Sequence, residues 1–231
     1  MSTVSKDKEV QLKPIATLGN WCVRLMFVMV FLELVSFGTL LNEYRLAVID
    51  EPFPSFASEE AYFQAFDLAV ELDSLSYFAY FLVGSIGFSL NVFWIFRSTH
   101  NAAVIDPKPG RISKWMALLY NFIPIVHWWM PFRTVTQVWH SSLGNNDPLN
   151  LRAPTFFWAW WICWIIYVSI TQGSSDFMGY DASDSYLKGL QANIFKVPFG
   201  VVTFYVFARI IRRITDAQSA ALDANLGGAQ T

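Results

Sequence analysis

Residues 94–139, WIFRSTHNAAVIDPKPGRISKWMALLYNFIPIVHWWMPFRTVTQVW, decide the fold, because the number of membrane spans depends on whether this stretch crosses a bilayer. The stretch is apolar enough to enter a membrane, but Pro124, His127 and Pro131 interrupt it. Each proline removes a backbone N–H donor, and irregular backbone at membrane depth needs protein or water around it. We therefore predict a broken helical hairpin over residues 112–140 that is re-entrant or lies at the interface. A proline-kinked fifth span is the alternative.

The composition is typical of a multi-pass membrane protein. Of 231 residues, 54% are hydrophobic, 17% are aromatic and 15% are charged, and soluble domains seldom combine so little charge with so many large rings. Four apolar runs are long enough to cross a bilayer as helices: residues 21–41, 75–96, 155–171 and 189–211. The sequence therefore predicts an all-α integral membrane protein with four transmembrane helices plus the hairpin, or five transmembrane helices in the alternative.

The distribution of basic residues favours four spans over five. Cytoplasmic loops of membrane proteins carry an excess of Lys and Arg. With five spans, the two sides of the membrane would hold eight and six basic residues, which is almost no bias. With four spans, twelve basic residues lie inside and only Arg45 and Lys188 lie outside. This asymmetry predicts that the hairpin and both termini are cytoplasmic.

The four-span arrangement divides the chain into three parts. Residues 1–17 are predicted to be a polar cytoplasmic tail, residues 18–215 a single membrane domain, and residues 216–231 a flexible, Ala-rich cytoplasmic tail. The residues that follow the first span are acidic, and Ser58 with two glutamates after it suits the start of a helix that continues into the second span. Small residues at helical spacing in that span favour close packing within the chain: Gly84, Ser85, Gly87 and Ser89.

Two ionisable residues, Glu33 and Lys196, lie deep in the predicted spans, where a charge is costly. Counted from the outer ends of their helices at about 1.5 Å per residue, their depths are roughly 12 Å and 10 Å. We therefore expect a contact between them that ties the first span to the last by a charge-assisted hydrogen bond. Alternatively, Lys196 extends to the interface while Glu33 is protonated or meets a water-filled crevice.

The stretch that begins at Trp94 also carries a motif, W-x-x-R-x-x-x-N, formed with Arg97 and Asn101 and followed by a tryptophan-led segment. With Trp115, Pro124, Pro131 and Trp139, it resembles a bacterial family of multi-pass membrane proteins catalogued only as a domain of unknown function. The similarity covers roughly residues 75–167, although His127 and Trp128 stand where a more polar pair is expected. The resemblance implies the architecture and a bacterial origin, and it supplies no mechanism.

Several kinds of chemistry find no support in the sequence. It contains no H-E-x-x-H or C-x-x-C motif and no G-x-S-x-G elbow, and the cysteines Cys22 and Cys163 suit buried free thiols. We therefore predict no metal site and no cofactor, and we do not expect an enzyme. The basic residues flank apolar segments, which fits membrane flanks and argues against a nucleic-acid partner.

Three functions remain, all in a bacterial inner (plasma) membrane. The first is an accessory or scaffold subunit that docks against other membrane helices or lipid through aromatic and small-residue surfaces. The second is a small transporter or channel that uses the intramembrane carboxylate of Glu33. The third is a membrane enzyme acting on a lipid or a quinone, which needs a pocket joining Arg97, Asn101 and His127. These three residues, with Trp94, Pro124 and Pro131, form the candidate ligand site of the hairpin.

Overall fold

The computed structural model describes residues 11–48, 56–107, 111–143, 153–177 and 184–228, with only the backbone described at 124, 174–177, 184–185 and 226–228. Among these residues lie seven helices: α1 (Ala16–Val48), α2 (Glu59–Ile105), α3 (Lys114–Leu119), α4 (Pro124–His127), α5 (Met130–Ser142), α6 (Thr155–Phe177) and α7 (Asp184–Gly228). By length and composition, α1, α2, α6 and α7 can each cross a membrane. The predicted all-α fold with four membrane-spanning helices is therefore confirmed.

The stretch that decides the fold is broken into the short helices α3, α4 and α5, the longest of which has 13 residues. A helix needs about 20 residues to cross the hydrocarbon core, so none of these three spans a membrane by itself. Pro131 lies in the first turn of α5, where its missing N–H would have no helical partner in any case. One detail differs from the prediction, because Pro124 begins an extra helical turn, α4, inside the expected break.

Helix α2 begins where the sequence predicts and runs for 47 residues. The Ser58 hydroxyl accepts a hydrogen bond from the backbone N–H of Ala61 at 3.2 Å, which satisfies one of the free donors at the helix start. The helix then continues without interruption to Ile105. The prediction that a helix starting at Ser58 leads directly into the second span is confirmed.

Helix α7 is longer than the sequence suggested, since it continues to Gly228 through the region where we expected a flexible tail from residue 216. The physical reason is burial: Ile214, Thr215 and Gln218 are each at most 3% exposed. Tertiary contacts of these side chains stabilise helical turns that an Ala-rich composition alone would leave frayed.

The chain forms two compact units. Unit 1 comprises Met1–Met26, Ile86–Trp158 and Val206–Thr231, and unit 2 comprises Phe27–Ser85 and Ala159–Tyr205. The hairpin, the beginning of α1 and the end of α7 therefore all belong to unit 1. Of the basic residues in the charge count, Lys6, Lys8, Lys108 and Arg152 lie outside the described residues.

Each unit has its own core. In unit 1, the fully buried Phe157 packs edge-on against Trp139 with 5.3 Å between ring centroids, and against Phe132 at 6.4 Å. In unit 2, the buried side chains Leu40, Leu190 and Val197 form an aliphatic cluster. Aromatic packing thus dominates around the hairpin, and aliphatic packing dominates this cluster of unit 2.

Candidate functional site

The motif residue Asn101 grips the main chain of the segment that precedes α1. Its side-chain Nδ2 donates a hydrogen bond to the Lys13 carbonyl at 2.8 Å, and its Oδ1 accepts one from the Lys13 N–H at 2.9 Å. Asn101 is fully buried, and these two hydrogen bonds satisfy a donor and an acceptor that burial would otherwise leave unpaired. The amide binds Lys13 as a neighbouring β-strand would, through both backbone groups of one residue.

Two further side chains of α2 hold the same segment. Arg97 donates to the Pro14 carbonyl at 2.7 Å, and the His100 Nε2 lies 3.2 Å from the Gln11 carbonyl. We call Arg97, His100 and Asn101, together with the residues 11–14 that they hold, the N-terminal clamp. The clamp joins parts of the chain that are more than 80 residues apart in sequence.

The first residue of the motif, Trp94, contacts a different element. Its indole N–H donates to the Thr215 hydroxyl of α7 at 3.0 Å, and its side chain is fully buried. One turn further along each helix, Gln218 donates to the Ser98 carbonyl at 2.9 Å. Gly19 of α1 packs so closely against Thr215 that a Cβ at this position would collide with the threonine side chain. Trp94 therefore ties α2 to α7, while Arg97 and Asn101 tie it to residues 11–14.

Another arginine, Arg111, links the hairpin to α2. Arg111 donates to the Ala102 carbonyl at 3.0 Å, pairs with the Asp106 carboxylate, and donates to the hydroxyl of Ser141 in α5. Sequence reasoning missed Arg111 because its charge was already explained by the basic loop between the second span and the hairpin.

A cleft of about 480 Å³ opens beside the N-terminal clamp. It is lined by Lys13, Thr17, Leu18, Trp21, Phe93, Phe96, Arg97 and His100. Neither Asn101 nor His127 lines it, so this cleft does not join the three residues that a lipid- or quinone-processing enzyme was expected to use. His127 lies instead at the end of α4, where burial lowers the pKa of its imidazole.

Unit 2 contains a second polar arrangement, centred on Glu33. The Glu33 side chain is only 2% exposed, and its Oε1 accepts a hydrogen bond from the Tyr167 hydroxyl at 2.8 Å. The same hydroxyl makes a second hydrogen bond, 2.7 Å long, with the hydroxyl of Tyr80. We call Glu33, Tyr80 and Tyr167 the buried polar cluster. It joins α1, α2 and α6 through side chains alone.

Lys196 approaches this cluster through Tyr167. Its Nζ lies 6.0 Å from the centroid of the Tyr167 ring, which suits a cation–π interaction. Glu33 and Lys196, for which the sequence predicted a direct contact, share Tyr167 as a partner. Lys196 also interacts electrostatically with Glu33 and with Asp73, whose carboxylate accepts a hydrogen bond from Thr39 at 3.2 Å.

The backbone of α7 packs tightly against the buried polar cluster at Gly200. A Cβ on this glycine would lie 2.8 Å from the Glu33 Cδ and 2.8 Å from the Tyr167 Cε2, which is closer than real Cβ contacts. A glycine inside an apolar span is a signal for such close approach, and it could have drawn attention to this position. No comparable signal marks Tyr80 or Tyr167, because both lie in runs that are rich in aromatic residues.

The four long helices, the broken hairpin and the two internal polar arrangements define a multi-pass helical membrane protein. A family model described as a domain of unknown function, DUF4328, matches residues 57–216. Because this match covers more than half of the chain, the protein belongs to the DUF4328 family, which confirms the predicted membership of a family of unknown function. Searches of curated proteins and of solved structures found no match.

Proposed function

We propose that the protein is a non-catalytic accessory or scaffold subunit of a membrane assembly. One observation carries this proposal: buried polar side chains such as Glu33 and Asn101 bind partners within the chain, whereas an aromatic face of α2 is exposed. Glu33 and Asn101 exemplify the internal use of polar groups, since both are buried and hydrogen-bonded. A protein organised in this way offers other membrane helices a stable, largely apolar surface.

The uncovered surface lies on the part of α2 that belongs to unit 2. Its residues, which we call the α2 outer face, are Tyr77, Phe78, Phe81, Leu82 and Ser85, all exposed. Phe81 is 64% exposed, and the Ser85 hydroxyl donates to the Phe81 carbonyl at 2.8 Å, so the serine adds little polarity to the face. Large rings beside a small residue suit close packing of a second helix, because a small side chain lets two backbones approach.

The glycines of α2, unlike its exposed aromatic residues, pack against other parts of the same chain. A Cβ at Gly84 would lie 3.6 Å from the Met29 side chain, and one at Gly87 would lie 3.9 Å from that of Met26, both on α1. These glycines therefore pack within the chain, as the sequence indicated. Ser85, by contrast, is exposed on the α2 outer face.

The proposed setting is the bacterial inner membrane, with both termini and the hairpin in the cytoplasm. The excess of Lys and Arg in the loops on one side supports this orientation. Unit 1 contains the hairpin, the beginning of α1 and the end of α7, which supports placing all three on the same side. A cysteine-reactive or protease-sensitive tag at the C-terminus, probed in sealed, oriented vesicles, tests the orientation.

Site-specific photo-crosslinking in the native membrane tests the docking surface. A photo-crosslinking amino acid is placed at Phe81 or, as a matched control, at Phe195 of α7, which is 62% exposed. We expect a discrete adduct with one membrane protein from position 81 and none from position 195. The same partner should co-purify with the unmodified protein in mild detergent without crosslinker.

Substitutions distinguish specific docking from adventitious capture. Phe81→Ala should abolish co-purification of the partner, whereas Phe195→Ala should leave it unchanged. If the protein purifies as a lone monomer, or if both substitutions act alike, the α2 outer face is only a lipid-facing surface and the scaffold proposal is wrong.

A second candidate function is proton or cation movement through Glu33. The observation that favours it is the extended set of polar groups around this carboxylate, which includes Tyr80, Tyr167 and the nearby Lys196. The tight packing of Gly200 against Glu33 argues against an open path. Proton flux into liposomes that contain the protein, abolished by Glu33→Gln, would support this candidate, and flux no faster than in empty liposomes would exclude it.

A further inference from the structure

The cleft beside the N-terminal clamp combines positive charge with an apolar wall. Its lining includes the basic residues Lys13, Arg97 and His100 as well as the aromatic residues Trp21, Phe93 and Phe96. Its volume of about 480 Å³ is within the range of small-molecule sites, roughly 300–1,000 Å³. None of the described lining residues is acidic, so the chemistry of the cleft suits an anionic and amphipathic ligand.

Two further basic side chains contact aromatic rings that line the cleft. The Arg24 guanidinium lies 5.1 Å from the centroid of the Trp21 ring, and the Lys114 ammonium lies 5.8 Å from that of Phe96. These cation–π contacts hold the two charges beside the cleft. Together with Lys13 and Arg97, they place four basic side chains in one small region of unit 1.

The Arg97 guanidinium retains donors for a ligand. Within the described part of the chain it donates one hydrogen bond, from Nη1 to the Pro14 carbonyl, and a guanidinium carries five N–H donors. Guanidinium groups bind phosphate oxygens through pairs of parallel N–H donors, and this geometry favours phosphate over a simple halide.

The apolar side of the cleft is exposed. Phe93 is 62% exposed and Trp21 is 51% exposed, although both lie on helices that can cross a membrane. Tryptophan is favoured at the level of the lipid headgroups, where its ring meets acyl chains and its N–H meets polar groups. A ligand that places phosphate on Arg97 and a hydrocarbon chain along Phe93 matches both kinds of lining residue.

We propose that this cleft is a binding site for one anionic phospholipid, whose phosphate lies against Arg97 and Lys13 and whose acyl chain lies along Trp21 and Phe93. The site is independent of the proposed docking face, which belongs to unit 2. A bound lipid would also contact the N-terminal clamp, because Arg97 and Lys13 take part in both.

Native mass spectrometry of the full-length protein in detergent tests the proposal. The probes are phosphatidylglycerol and phosphatidylcholine with identical acyl chains, titrated separately, with inorganic phosphate as a competitor. We expect one saturable phosphatidylglycerol site that binds at least tenfold more tightly than phosphatidylcholine and that inorganic phosphate does not displace.

The variant K13Q/R24Q/K114Q removes three charges whose side chains are not needed for the clamp's backbone contacts. Each loss should weaken phosphatidylglycerol binding roughly fivefold, the usual contribution of one basic residue to anionic lipid binding. The matched control R212Q/R213Q removes two exposed charges from α7, outside the cleft lining, and should leave binding unchanged. Phe93→Ser should weaken binding of both lipids, because it removes the apolar wall but no charge.

Three results would overturn the proposal. Equal affinity for the two lipids would mean that the cleft does not recognise an anionic headgroup. Equal weakening, per charge removed, in the α7 control would mean that only bulk electrostatics attracts lipid. Displacement by inorganic phosphate, with no effect of Phe93→Ser, would show that the cleft binds free phosphate instead of a lipid.

Discussion

The N-terminal clamp of unit 1 and the buried polar cluster of unit 2 satisfy polar groups in different ways. In the clamp, Asn101 and Arg97 bind backbone atoms of Lys13 and Pro14. In the cluster, Glu33 depends on the hydroxyl group of Tyr167, which depends in turn on Tyr80. The clamp therefore requires particular side chains on α2 only, because its other partners are backbone atoms. The cluster requires a particular side chain at each of its three positions.

This difference explains why one arrangement is visible in the sequence and the other is not. A clamp that binds backbone needs its side chains at fixed spacing on one helix face, and positions 97 and 101 lie about one turn apart on α2. Members of the cluster lie at positions 33, 80 and 167, on three helices. Only folding brings them together, so no local spacing marks them.

The largest expected effect comes from Trp94, which links the motif to α7. Trp94→Ala deletes a fully buried indole and leaves the Thr215 hydroxyl without its partner, so it should lower the free energy of unfolding by about 3–5 kcal/mol. Thermal unfolding in detergent, followed by circular dichroism, measures the loss. Trp158→Ala, at a half-exposed position, is the control, and an equal loss there would show that Trp94 has no special role in unit 1.

A substitution at Gly200 tests the packing of the buried polar cluster in unit 2. Gly200→Ala places a methyl group where Glu33 and Tyr167 already lie, so it should cost about 1–3 kcal/mol through overpacking, despite the usual benefit of alanine in a helix. Gly38→Ala is the matched control, since a Cβ at Gly38 meets nothing within 4 Å. If both variants are equally stable in the same thermal assay, the buried polar cluster is more loosely packed than the structure indicates.

A third pair of variants tests whether the clamp binds backbone or side chain. Asn101→Ala removes both hydrogen bonds to Lys13 and should cost about 1–2 kcal/mol. Lys13→Gln keeps the backbone and should cost almost nothing. Hydrogen exchange measured by mass spectrometry should show faster exchange of residues 11–14 in the Asn101 variant only. Faster exchange in Lys13→Gln would show that the clamp depends on the lysine side chain.

The smallest expected effect is a pH dependence that arises in the hairpin, outside both polar arrangements. Burial lowers the pKa of His127 below its ordinary value of 6.5, so the folded state binds a proton less readily than the unfolded chain. The contribution of this residue to stability is therefore constant above about pH 6.5 and is lost as the pH falls through 6.5 towards the folded-state pKa. His127→Gln should flatten the dependence of the melting temperature on pH in this range. An unchanged profile would assign the effect to other groups.

Much of the fold was predictable because it depends on local chemistry. The apolar runs identify the four long helices, Ser58 identifies the start of α2, and Pro131 identifies the start of α5. These signals depend on length, capping and the missing proline N–H, and each acts within a few residues. The extra turn at Pro124 and the length of α7 escaped prediction, because tertiary packing decides whether such marginal turns persist.

The candidate site was predictable in part. The motif drew attention to Trp94, Arg97 and Asn101, but their partners at Lys13, Pro14 and Thr215 are set by tertiary structure. Equal depth in the membrane suggested a contact between Glu33 and Lys196, and in the structure both contact Tyr167, which the sequence did not single out. A phenol in an aromatic-rich helix looks the same in sequence whether it faces lipid or a buried carboxylate.

The bond between Trp94 and Thr215 has a consequence for the order in which the protein is made. The clamp can close once α2 has been synthesised, because all its residues precede position 102. The indole of Trp94 must wait for a partner 121 residues further along the chain, which corresponds to roughly 6–24 s of translation at about 5–20 residues per second. During this interval the Trp94 indole N–H of the nascent protein lacks the Thr215 hydroxyl, its partner in the folded state. Unit 1 is therefore completed last, by the arrival of α7, even though its first contacts form early.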